Sequence, residues 1–385
     1  MTDERRQLKD FSLERLRETL TSDGLPRWRA DQIAAWVYKR GVEDPAQMTD
    51  LDLALREQLA GTWSFEALTV ESVARSTDGT TKGLLRAADG AAIEAVVIPE
   101  EDRNTLCVST QVGCPLACSF CATGAMGFTR NLSTAEIIDQ VCRMREVLPP
   151  GRELTNVVFM GMGEPLLNLS AVLEAVRLLV EPRAFGFAPR RVTVSTAGIV
   201  PKIGELLDGL PGPVNLAVSL HAVTDRLRDE LVPINRKFPL ERLLGTLRSL
   251  PHLGPRRPIF FEYTLLAGVN DAPEDAHGLV RLLRGLPYKL NLIPMNPHDD
   301  APYGAPTREA IDAFMGVLSA ARVTTTLRRS RGDDIDAACG QLAARPTRIA
   351  GVALEEGSSP DARRPKCPPG EPSAPEDSAD ALRDR

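Results

Sequence analysis

From residue 133 to residue 327 the chain alternates short apolar runs with longer amphipathic stretches, and this alternation limits the possible folds more than any other feature. The apolar runs lie at 156–160, 191–195, 214–220, 259–265, 289–293 and 323–327. Between them, 240–250, 274–286 and 308–321 repeat apolar residues at helical spacing, and Ser133-Thr-Ala-Glu136 is a capping box opening a helix to about Leu148. Strands joined by helices pair in parallel, because a crossover returns the chain to the same end of the sheet. Six units fall short of the eight of a closed barrel, so the expected fold is α/β, an incomplete (β/α)6 parallel barrel.

Such sheets carry their chemistry at the carboxyl ends of the strands, and the chemistry-bearing residues fall there. Gly161, Gly163 and Glu164 follow the run at 156–160, Ser195 ends the next, and Ser219, Leu220 and His221 close the one after. Asn296 follows Asn291-Leu-Ile-Pro-Met. Taken singly these residues are ambiguous: two glycines in a turn usually serve the backbone, and a lone histidine is usually an ordinary half-buried side chain.

Just ahead of the alternating region, four of the seven cysteines fall within 107–121. Cys114, Cys118 and Cys121 form a C-x3-C-x2-C run on a loop with Gly and Pro, which lets three thiolates converge on one inorganic centre. Structural zinc is closed by four protein ligands, usually as two half-sites, and no second half-site follows, since Cys142 stands alone in a helical pattern. Thiolates also hold iron-sulfur clusters, and three cysteines on four irons leave one iron open for chemistry. An incomplete zinc knuckle and three reduced structural thiols remain as alternatives at this point.

Ahead of the cysteines, residues 1–64 read as short helices in which Arg27, Trp28, Arg29, Trp36, Tyr38, Lys39 and Arg40 interleave charge with stacking surface, as RNA binding uses. Core tryptophans with solvated arginines explain the same pattern equally well. Residues 65–99 alternate between Thr77-Asp-Gly-Thr80 and Asp89-Gly90, the signature of a β-hairpin connecting region. Glu94 stands there among apolar residues, where burial would raise its pKa, although an outward strand glutamate is commoner. The barrel is expected over 100–345. Six prolines between Pro360 and Pro375 mark 346–385 as a disordered tail, which contains Cys367.

The net charge of −6, half of it in the stretch 355–385, argues against a protein that coats nucleic acid by charge alone. The charged N-terminal residues and the lack of a bilayer-length apolar run predict a cytoplasmic chain without membrane association. An odd number of cysteines clustered at one site fits a reducing compartment.

Taken together, 107–121, Gly161-Met-Gly-Glu-Pro-Leu-Leu-Asn168, Ser219-Leu-His-Ala222, Val232-Pro-Ile-Asn235 and Gly332-Asp-Asp-Ile-Asp-Ala-Ala-Cys-Gly-Gln-Leu342 resemble the RlmN group of ribosomal-RNA adenine methyltransferases. That group lies in the radical S-adenosylmethionine (SAM) superfamily, and the likeness runs to about residue 345. It implies a small N-terminal RNA-contacting domain, a 4Fe-4S cluster on Cys114, Cys118 and Cys121, and two SAM molecules per turnover. Gly163, Glu164, Ser195, Ser219, Leu220, His221 and Asn296 would hold SAM. The implied reaction methylates carbon 2 of an adenosine in 23S rRNA, and in some members also the adenosine 3′ of a tRNA anticodon. One SAM methylates Cys339; a second, cleaved reductively, yields a radical that abstracts hydrogen from that methyl group, and the resulting methylene radical adds to the base. Cys107 then releases product by forming a disulfide with Cys339, and Glu94 accepts the proton lost from carbon 2. Read without the likeness, Cys339 is a small loop residue and Cys107 a buried strand thiol. The likeness also implies a monomer supplied with electrons by a donor such as flavodoxin and its reductase. The rivals are a relative that modifies carbon 8 and a non-catalytic zinc-containing RNA-binding module.

Overall fold

The computed structural model describes residues 5–298 and 301–344, together with the backbone of the two-residue strand Glu355–Glu356. The rest of the tail expected at 346–385, including Cys367, lies outside the described residues.

Three helices open the chain: α1 (Leu13–Ser22), α2 (Trp28–Ala34) and α3 (Leu53–Thr62). Ser12 and Asp52 cap α1 and α3 by accepting the backbone N–H three residues on. Their apolar faces enclose Leu16, Leu20, Ile33, Leu55 and Leu59. A buried cation joins this unit to the remainder: the Lys9 ammonium lies 2.6 Å from Glu43 and also pairs with Asp139. Asp139 in turn accepts the N–H groups of Ala67 (2.8 Å) and Leu68 (2.7 Å).

Three antiparallel strands follow, β1 (Leu68–Arg75), β2 (Thr81–Ala87) and β3 (Ala92–Pro99). They do not form a separate hairpin. β3 pairs with β4 (Asn104–Cys107), which pairs in parallel with β5 (Asn156–Phe159), so the antiparallel strands extend the barrel sheet. The parallel series continues through β6 (Val192–Thr196), β7 (Asn215–Ser219), β8 (Ile259–Leu265), β9 (Tyr288–Pro294) and β10 (Thr325–Leu327). The sheet runs in unbroken sequence order from β10 to β1, with Glu355–Glu356 beyond β1.

Every one of the six apolar runs is a strand, and β4 is a parallel strand additional to them. The helices are α4 (Thr134–Glu146), α5 (Leu169–Val180), α6 (Val200–Gly209), α7 (Asp225–Leu231), α8 (Leu240–Ser249), α9 (Pro273–Leu282) and α10 (Arg308–Ala320). Each of β4 to β9 is thus followed by helical chain, the partial (β/α)6 barrel, and among the described residues no α-helix follows β10. The expected capping box is present: Ser133 accepts the Glu136 N–H at 3.2 Å, and Glu136 accepts the Ser133 N–H at 2.8 Å. Such a box stabilises the helix start by about 1 kcal/mol.

Alternation along β8 separates shell from lumen. Phe261, Tyr263 and Leu265 are fully buried on the face that the helices cover. Phe260, Glu262 and Thr264 line cavities inside the barrel. Among the described residues, no helix is long and apolar enough to cross a membrane.

Candidate active site

Beyond β4 the chain forms a small hairpin, Gln111–Gly113 paired with Phe128–Asn131, and the three-cysteine loop is strung between its arms. The Cys114 N–H donates to Gly127 at 2.7 Å and the Cys121 N–H to Cys118 at 3.1 Å. Two glycines are sterically required. A Cβ on Gly113 would lie 1.9 Å from the Gly127 oxygen, and one on Gly124 would lie 3.0 Å from both N and O of Cys118. All three thiols are free. Burial pushes Cys114 up to about 12 and Cys118 well above its ordinary value, so loading a metal there displaces protons.

Among the described residues, Glu43, Asp139 and Cys142 place three ligand atoms within 4.8 Å of one another, but Lys9 and Arg143 already pair with the two carboxylates. Structural zinc is closed by four protein ligands, whereas three thiolates on one loop can take three of four irons and leave the fourth open.

The loop faces a cavity of about 170 Å³ at the carboxyl ends of the strands, lined also by Gly163, Glu164, Ser195, Ser219, His221 and Cys339. Gly163 has φ 101°, and a Cβ there would lie 2.6 Å from that of Gln111. Buried Glu164 accepts the N–H groups of Leu166 (3.0 Å) and Ala197 (2.8 Å), and burial raises its pKa to about 6. His221, at φ 60°, accepts the Thr264 N–H on Nδ1 at 3.0 Å, and desolvation lowers its pKa to about 3. The imidazole is neutral, with Nδ1 as acceptor.

Beneath these strand ends lies Arg228, fully buried. Its guanidinium donates to the carbonyls of Leu220 (3.0 Å), Ala197 (2.7 Å) and Ser219 (3.0 Å) and to the Asn235 side chain (2.9 Å). Asn235 in turn donates to Asp225 (2.9 Å) and Asp229 (2.7 Å), which explains the Val232-Pro-Ile-Asn235 motif: it seats the arginine that shapes two loops of the cavity. Leu220 is fully buried behind the wall and does not line it.

A second cavity, about 560 Å³, continues down the lumen and shares Cys339, Glu262 and Arg328 with the first. Asn296 lines this one, and its amide donates to the Cys339 carbonyl at 3.1 Å. Cys107, at the end of β4, is buried, and burial pushes its thiol up to about 12, whereas Cys339 is exposed where it borders the two cavities. Both are free thiols.

Glu94 is placed differently from its sequence reading. It is buried, yet it lines neither cavity and does not face apolar surroundings. Its Oε1 lies 3.1 Å from the Lys82 ammonium, and its Oε2 accepts the N–H groups of Ala343 (2.8 Å) and Ala344 (3.1 Å). Conversely, sequence reasoning passed over Glu262. It lies 4 % exposed between the cavities, with Oε1 accepting from Asn291 (2.8 Å) and Arg328 (3.4 Å) and Oε2 without a hydrogen-bond partner among the described residues. The signal was a carboxylate at the lumenal position of an otherwise apolar strand.

The aromatic and basic helix also divides. Trp28 is 52 % exposed with the Arg29 guanidinium 4.3 Å from its ring. Trp36 and Tyr38 are core residues; Trp36 donates to Asp50 at 2.5 Å, and Tyr38 packs 5.1 Å from Phe185.

A partial parallel barrel with three free thiols on one loop over its carboxyl-terminal cavity defines a radical SAM enzyme. The radical SAM superfamily profile matches residues 108–280, and the ribosomal RNA large subunit methyltransferase N-terminal domain matches residues 6–64. The dual-specificity RNA methyltransferase RlmN of Syntrophobacter fumaroxidans is 50 % identical over 337 residues, 88 % of this chain and 98 % of that protein. The Geobacter sulfurreducens protein of the same name is 50 % identical over 335 residues, covering 87 % and 91 %. A crystal structure of a radical SAM methyltransferase from Sphaerobacter thermophilus superposes with a TM-score of 0.83 at 47 % identity, covering 88 % of this chain and all of that one. The chain belongs to the RlmN family of dual-specificity RNA methyltransferases. It is a SAM-dependent enzyme with a 4Fe-4S cluster and an RNA substrate, which removes the zinc-module alternative.

Proposed function

We propose that the protein methylates carbon 2 of an adenosine in 23S rRNA, and the adenosine 3′ of the anticodon in some tRNAs, with Cys339 as methyl carrier and Cys107 as the resolving thiol. The observation that carries this reading is the place of Cys339, a free thiol that borders both cavities with its carbonyl held by Asn296. Cys107, the second free thiol, is buried at the end of β4. Carbon 2 lies between two ring nitrogens and is too electron-poor to attack a methyl donor as a nucleophile, so a carrier delivering a carbon radical is required.

Cys114, Cys118 and Cys121 would hold the cluster, and Gly163, Glu164, Ser195, Ser219 and His221 would surround SAM. When bound, this pair supplies both the methyl group and the radical that abstracts hydrogen, consuming two SAM per product. Cys339 takes up the methyl group on sulfur and presents it to the base. Once that carbon, as a radical, has bonded to carbon 2 and the adduct has given up one electron to the redox centre and the carbon 2 proton to a base, Cys107 loses its thiol proton and forms a disulfide with Cys339; the carbon–sulfur bond breaks, and its electron pair stays on carbon, which takes up a proton to become the methyl group. Glu94, which lines neither cavity, can accept a proton from the base only after the Cys339 loop moves to admit the base to it. Electrons come from a flavodoxin-type donor, and the chain acts as a monomer.

The test is the Cys107→Ala enzyme. It should retain methyl uptake on Cys339 and stall with protein covalently joined to RNA, visible as added nucleotide mass after nuclease digestion. Absence of that mass, or its persistence in the Cys107→Ala, Cys339→Ala double variant, overturns the assignment. Nucleoside analysis of wild-type product distinguishes carbon 2 from carbon 8.

A further inference from the structure

Cys339 sits in a stretch without helix or strand, between the single 3-10 turn Asp333–Ile335 and the end of the described chain at residue 344. A carrier sulfur must be placed to within a fraction of an ångström, since a misplacement of about 1 Å costs on the order of a hundredfold in rate. Something rigid must therefore hold an irregular loop.

The holding group lies on the sheet. Lys82 on β2 and Glu94 on β3 are diagonal neighbours, because the register pairs Leu84 with Glu94 and Lys82 with Val96. Both side chains are almost wholly buried, 4 % and 1 % exposed, and form an ion pair at 3.1 Å. On the opposite face β2 packs on α4: a Cβ on Gly83 would lie 2.5 Å from the sulfur of Met144.

Burying two charges costs several kcal/mol each unless further hydrogen bonds satisfy them, and here every further bond goes to the Cys339 stretch. Lys82 donates to the carbonyl of Asp336 at 3.1 Å, three residues before Cys339. Glu94 accepts from the N–H groups of Ala343 and Ala344, four and five residues after it. Asp336 is itself in the left-handed region, φ 51°, which turns its carbonyl out of the 3-10 turn. The pair thus grips the loop on both sides of the reactive sulfur while touching neither cavity.

We propose that the Lys82–Glu94 ion pair is a clamp that positions the Cys339 loop, with Lys82 a positioning residue for methyl delivery and Glu94 acting first through the loop backbone. The proposal rests on the reading of Cys339 as methyl carrier. It separates Glu94 from a purely proton-accepting role, because that role makes no demand on Lys82.

The experiment uses full-length, cluster-loaded Lys82→Met, Lys82→Arg and Glu94→Gln enzymes. Three readouts are taken: methylated RNA formed per SAM cleaved, methyl content of Cys339, and hydrogen exchange at the Ala343 and Ala344 amides. The clamp predicts that Lys82→Met keeps cluster content and SAM cleavage within about twofold of wild type while product per SAM cleaved falls at least about tenfold. Exchange at residues 343 and 344 should accelerate at least about tenfold. Lys82→Arg, which keeps the charge and a donor, should recover product to within about threefold. Glu94→Gln keeps one carbonyl oxygen for the amides and should retain part of their protection. The proposal is overturned if Lys82→Met matches wild type in coupling and exchange, or if Glu94→Gln abolishes product with amide protection and Cys339 methylation intact. Should Lys82→Met not fold, coupling and exchange in Lys82→Arg and Glu94→Gln decide by the same criteria. If wild-type enzyme places no methyl on Cys339, the carrier reading fails, and the exchange comparison still decides the clamp.

Discussion

The N–H of Ala122, the residue after the last cluster cysteine, donates at 2.8 Å to the carbonyl of Gly340, the residue after Cys339. Next to it, the Thr123 hydroxyl donates to Leu342 at 2.6 Å. The three-cysteine loop and the loop that carries Cys339 are thus joined by two bonds, so loss of order in the first reaches the second.

Cys118→Ala should therefore fail twice. Two thiolates cannot hold a four-iron centre with an open site, so acid-labile sulfide and all methylation are lost. Alkylation of Cys339 should also run several-fold faster than in wild type. Methylated product from an iron-free Cys118→Ala preparation would contradict the radical route.

Arg228→Met should destabilise the protein by about 3 kcal/mol or more, because three carbonyls and the Asn235 side chain lose their donor inside the protein. Ala197 and Ser219 line the cavity proposed for SAM, so SAM affinity should fall at least about tenfold in protein that remains folded. Calorimetry measures both effects. Unchanged affinity would remove the arginine from the architecture of the site.

Glu164 makes stability depend on pH. Its carboxyl titrates at about 6 when folded against 4.5 when exposed, because burial penalises the charge. Between those values the folded state holds a proton that the unfolded state has lost. Stability from this residue is present below about pH 4.5 and declines as pH rises through 6, by about 2 kcal/mol in all. The SAM-free wild type should thus lose stability relative to Glu164→Gln across that window, as chemical denaturation at pH 4.5 and 7 would report.

The two tryptophans of the N-terminal unit should separate by assay. Trp28→Ala, with its ring in solvent beside Arg29, should leave the melting temperature within about 2 °C of wild type and weaken RNA binding by about 1–3 kcal/mol if a base stacks there. Trp36→Ala removes a buried ring and should cost about 3–5 kcal/mol of stability. Filter binding and thermal melts of the two variants distinguish the roles.

Read alone, the chain determines what local pattern can encode. Period-two and helical spacing define the parallel α/β barrel, because side-chain direction repeats along each element whatever it packs against. The C-x3-C-x2-C spacing determines that three thiols converge, since a short loop holds them together. Partners distant in sequence are another matter, and the tertiary structure alone decided them. Glu94 meets Ala343 across a separation of 249 residues, which no window of sequence contains, and that meeting ties the carboxylate that Lys82 pairs with to the loop of Cys339. Asn296 spends its amide on the Cys339 carbonyl, and Leu220 turns away from the cavity while its carbonyl holds Arg228. The same limit applied to 65–99, whose turns are local but whose edge pairing to β4 is not, and to Trp28 and Trp36, which share a helical pattern and differ only in what folds against them. A side chain's chemistry follows from its identity, but its charge state and role follow from the groups that surround it, and those groups are assembled only when the barrel closes around the loop of Cys339.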